Sequence, residues 1–85
     1  MRVAYIFMKE LLEYIAKSLV NNPDAVNVTE IQMDSGRSVT LELRVAREDM
    51  GKVIGRQGKI ARTIRTIMKA AAVKENTRVQ VEIVQ

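Results

Sequence analysis

Histidine and cysteine are both missing from this 85-residue chain, and with them go disulfides, thiolate nucleophiles, imidazole bases and the usual zinc ligands. Ser18, Ser35 and Ser38 therefore have no imidazole to activate them. The adjacent acids Glu48 and Asp49 sit where the start of a helix favours acids in any case. Catalysis is thus unexpected, as are a resident metal, a cofactor and a small-molecule substrate. Tryptophan is absent too, and the aromatics are Tyr5, Phe7 and Tyr14, so nothing beyond Tyr14 offers a ring on which a base could stack. No stretch approaches the ~20 apolar residues that a membrane-spanning helix needs, and the N-terminus lacks the apolar run and small-residue cleavage site of a secretory signal. A soluble protein of a reducing interior, the cytoplasm, is the expectation.

Hydrophobic residues make up 47% of the chain and charged ones 28%, which argues for a globular domain rather than disorder. The length suits one compact domain, and a domain this small buries only about 60% to 65% of its unfolded surface. Function is then expected on loops and faces. The net charge is +4, and its distribution is more telling than its size. Residues 50–74 hold Lys52, Arg56, Lys59, Arg62, Arg65, Lys69 and Lys74 with no acid, whereas residues 8–34 hold two lysines against five acids. The chain is electrically two-sided, and the basic side suits a polyanion.

From Met8 to Val20, Leu11, Leu12, Ile15, Ala16, Leu19 and Val20 recur at helical spacing, and Asn21-Asn22-Pro23 stops the helix. Val26 to Met33 reads as a strand whose alternation changes phase between Val28 and Ile31, which predicts a bulge or a late start. Asp34-Ser35-Gly36-Arg37 supplies turn chemistry, and Val39, Leu41, Leu43 and Val45 alternate with Thr40, Glu42 and Arg44, completing a hairpin. Arg47 to Ile54 makes a short helix. Lys59 to Ala72 makes another, with Ile60, Ile64, Ile67, Met68 and Ala71 inward and Arg62, Arg65 and Lys69 outward. Thr77 to Ile83 alternates as a final strand. The domain runs from residue 8 to 85. Met1 to Phe7 precedes it as an apolar extension, a helical continuation, a tail or the product of an upstream start, Met8-Lys9-Glu10 being a natural start of its own.

Between the two later helices stands Val53-Ile54-Gly55-Arg56-Gln57-Gly58-Lys59-Ile60. Two glycines let backbone approach a phosphate oxygen, the first turn of the following helix offers amides to that anion, and Arg56 and Lys59 add charge. Glycines at this spacing also shape ordinary helix–helix turns; the acid-free basic stretch around them points to the anion. In this order of elements the run resembles the GxxG loop of the KH domain, and the preceding helix and strand resemble the extra elements of its type II, bacterial form. The resemblance spans nearly the whole chain and is closest to small stand-alone bacterial KH proteins.

That resemblance implies an α/β (α+β) two-layer sandwich of order α-β-β-α-α-β, a three-stranded mixed sheet with its helices on one face. It implies an RNA-binding site at Gly55, Arg56, Gln57, Gly58 and Lys59, with Lys52, Val53, Ile54 and Arg62 beside it. About four nucleotides of single-stranded RNA would be clamped by their backbone, the bases lying on an aliphatic groove. It further implies a homodimer or pairing with a larger, Jag-type KH-containing protein. Two function classes remain: an RNA-binding module acting as RNA chaperone or post-transcriptional regulator, and an assembly subunit using the same helix-loop face.

Overall fold

The computed structural model describes residues 2–33 and 37–84. Helix α1 (Arg2–Leu19) is followed by a 3₁₀ turn at Pro23–Ala25, then strands β1 (Asn27–Met33) and β2 (Ser38–Arg44). A 3₁₀ turn (Arg47–Asp49) runs into the short helix α2 (Met50–Ile54), a second (Arg56–Gly58) into helix α3 (Lys59–Lys74), and β3 (Arg78–Ile83) ends the order. This is the expected α-β-β-α-α-β arrangement. The sheet order is β1-β2-β3, antiparallel at the first pairing and parallel at the second. Parallel pairing of β2 with β3 needs a long crossover, which α2 and α3 supply.

The core lies between the sheet and the three helices. Met8, Leu12 and Ala16 of α1, Val53 of α2 and Ile64, Met68 and Ala72 of α3 meet Val28, Val39, Leu41, Leu43 and Val81 of the sheet. Period-two alternation sends the other residues of β2 and β3 to the open face. The extension before Met8 is the helical alternative: α1 begins at Arg2, and Ala4 and Tyr5 are buried.

Three details depart from the sequence expectation. The β1–β2 register is unbroken from Asn27↔Arg44 to Met33↔Ser38, so no bulge is present; the phase change instead places Ile31 and Met33 on the open face, where Ile31 sits beside the buried Thr40. On α3, Ile64 and Met68 are buried as expected, but Ala61 and Ala72 are buried beside them while Ile67 is 42% exposed, so the inner face is rotated toward the alanines and Ile67 is not part of it. Asp49 is fully buried, its Oδ2 accepting a hydrogen bond from the Asn22 N–H at 3.0 Å. It ties the α1–β1 connection to the segment that carries α2. The hairpin turn at Asp34-Ser35-Gly36 lies outside the described residues.

Helix α3 ends in a left-handed residue, Asn76 at φ 57. The Asn76 N–H donates to Val73 O and the Thr77 N–H to Ala72 O, the paired bonds that turn a chain out of a helix. They direct β3 back along the sheet beside α3.

Candidate nucleic-acid interface

Three of the four residues between α2 and α3 have positive φ: Gly55 at 76, Gln57 at 58 and Gly58 at 75. Gly55 also has ψ 175, a combination open in practice only to glycine. A Cβ there would lie 2.6 Å from Ile60 Cγ1 and 2.9 Å from the Ile60 backbone nitrogen. The loop is therefore folded tightly against the start of α3. The Gly58 N–H donates to Gly55 O and the Lys59 N–H to Arg56 O, so these two amides are used inside the loop.

The electrostatics are unfavourable for the helix alone. No side chain caps α3, whose N-cap is Gly58, and no acid occupies its first turn. Lys59 and Arg62 stand there instead, cations at the end of the helix that stabilises anions. The structure keeps them close: Arg62 Nη1 donates to Gln57 O at 2.7 Å, folding the guanidinium back over the loop. Arg56, Gln57, Lys59 and Arg62 are exposed.

Around this centre the expected site residues take different places. Lys52 is exposed on α2, with its Nζ 3.9 Å from Asp49 Oδ1. Val53 has no exposed surface and works in the core, so it offers nothing to a base. Ile54 is half-buried and is the one of the pair with surface to give.

A groove missed in the sequence runs between α3 and β3. Arg65, Lys69, Val79, Gln80, Val81 and Glu82 line one part, about 300 Å³ in volume. The adjoining part, about 450 Å³, adds Val73, Thr77 and Arg78. Arg62, Arg65 and Lys69 fall on one side of α3 at helical spacing, a row reaching from the loop to the groove over about 15 Å of helix counted from Lys59. The signal was available: a hairpin followed by a crossover puts β3 at an edge, with α3 alongside. No aromatic residue lines the groove, as the sequence foretold, and Val79 and Val81 supply aliphatic surface.

A three-stranded mixed sheet with its helices on one face and a GxxG loop joining two of them is the type II KH domain. The match to known proteins agrees. The family model described as "KhpA/KhpB, KH domain" matches residues 9–83, and the chain belongs to that family. It is 65% identical over 77 residues to the RNA-binding protein KhpA of Clostridium acetobutylicum, covering 91% of this chain and 100% of that one. To the RNA-binding protein KhpA of Clostridium perfringens it is 60% identical with the same coverage. Among solved structures, a variant of Aquifex aeolicus Era bound to GDP and aluminium fluoride superposes with a TM-score of 0.60 at 18% identity, covering 91% of this chain and 29% of Era, a likeness of fold. The chain is a non-enzymatic KH-domain protein of the KhpA type.

Proposed function

We propose that the protein is a cytoplasmic RNA chaperone or post-transcriptional regulator that clamps a short single-stranded RNA at Gly55–Gly58. One observation carries this reading: the loop closes onto an uncapped helix start furnished only with cations. Such an arrangement weakens the helix alone and is compensated when a phosphate sits there. The backbone held at the loop leaves the bases to lie along the α3–β3 groove, on aliphatic rather than aromatic surface. Affinity measured against salt tests it. If three to four phosphates are held, log affinity falls with log salt at a slope of about −2 to −3, at about −0.7 per contact. A slope near zero would remove phosphate contact from the mechanism.

A second reading, assembly, has its own support. Val3, Ile6, Phe7 and Tyr14 are exposed on α1, Val3 at 78% and Tyr14 at 72%, and apolar stripes of this kind belong against a partner. The partner proposed is a second copy, with a larger, Jag-type KH-containing protein as the other candidate. A dimer mass in the micromolar range is the expected result, and a concentration-independent monomer mass would exclude the second copy. Deleting residues 1–7 shows whether the extension takes part.

A further inference from the structure

Strand β3 is an edge strand, and its polarity at that edge is fixed by the ladder. The Val84 N–H donates to Leu43 O, and the register runs in step from Ser38↔Arg78 to Leu43↔Ile83. In a parallel ladder one parity of residues uses both its amide and its carbonyl on the neighbour. Here the even-numbered residues of β3 face β2, so Val79 and Val81 turn their N–H and C=O groups outward to the groove. A bare edge of this kind presents one donor and one acceptor per outward residue. That pattern fits adenine or cytosine, each with an exocyclic amine beside a ring-nitrogen acceptor.

This edge is not bare. Arg65 Nε donates to Val81 O at 3.2 Å in a part-buried contact. We propose that Arg65 sets the base preference of the groove, making the edge at Val81 donor-only and so favouring guanine over adenine and cytosine. The guanidinium occupies the carbonyl that an incoming amine would need, and its charge repels amine hydrogens. Its remaining N–H groups form a planar donor fork, whose preferred base partner is guanine through O6 and N7. Lys69, in the same groove, adds donors and no acceptor. Gln80 and Glu82 also line the groove, but strand alternation sends their side chains toward the open face. The proposal rests on RNA lying in this groove, as the loop clamp requires.

The test uses the full chain and short uridine oligonucleotides carrying one guanosine, adenosine or cytidine at each position in turn. The wild-type protein is expected to bind the best guanosine oligonucleotide at least about tenfold tighter than the adenosine one, within the discrimination of a bidentate arginine. Arg65→Ala is expected to reduce that ratio to about twofold or invert it, whereas Lys69→Ala weakens binding but leaves guanosine ranked first. Should Arg65→Ala melt early, Arg65→Lys keeps the charge and the alkyl stem without the fork, and is expected to lose the preference too. A wild type that ranks adenosine or cytidine with guanosine overturns the proposal, as does an Arg65 variant that keeps the wild-type ranking; in both cases the loop clamp stands. Failure of the wild type to bind any of these RNAs instead overturns the clamp and the preference with it.

Discussion

Gly55→Ala is expected to lower the melting temperature by at least about 10 °C, while Gly58→Ala lowers it by about 4 to 8 °C. The two glycines share a positive φ, but their surroundings differ. At Gly55 the added carbon meets Ile60 at 2.6 Å and the backbone nitrogen of Ile60 at 2.9 Å. Backbone cannot swing aside, so overpacking adds to conformational strain, together roughly 2 to 5 kcal/mol. At Gly58 the nearest atom is the end of the Arg62 side chain at 3.4 Å, and only the left-handed backbone costs, about 1 kcal/mol. Thermal melts of the two variants decide the matter. Equal shifts would mean that the loop relaxes away from Ile60 and is not held as described.

The double variant Arg56→Asp with Gln57→Asp separates RNA binding from assembly. Both side chains are exposed, and Gln57 has φ 58, where aspartate is among the better-tolerated residues. The melt is therefore expected to stay near that of the wild type. RNA affinity is expected to fall at least about tenfold, or ~1.4 kcal/mol, because one cation gives way to two anions beside an approaching phosphate. If RNA binding persists while a dimer dissociates, the loop is an assembly surface and the clamp belongs elsewhere.

Much of the architecture was legible because its signals are local. Alternation over Val39, Leu41 and Leu43 specified β2 and its buried face, and the glycine spacing specified the loop. What escaped depends on packing between elements. On α3, Ile64 and Met68 turned inward as read, but the rest of the buried face is Ala61 and Ala72, small residues without a strong hydrophobic signature, so the larger Ile67 misled the periodicity. Ile31 and Met33 broke the alternation of β1 because the open sheet face accepts apolar side chains beside Thr40. Asp49 looked like an ordinary helix-start acid; its bond to the Asn22 amide joins residues 27 apart in the chain. The groove was missed for the same reason, since its two walls come from different elements.

Every β2–β3 pair joins residues 40 apart, from Ser38↔Arg78 to Leu43↔Ile83, whereas the hairpin begins with Met33↔Ser38. Closing the longer span costs more chain entropy, and during synthesis residues 78–83 are made after the loop and α3. A nascent chain thus carries the Gly55–Gly58 loop before it has the second wall of the groove. The groove, unlike the loop, is therefore completed only with the last strand to be made.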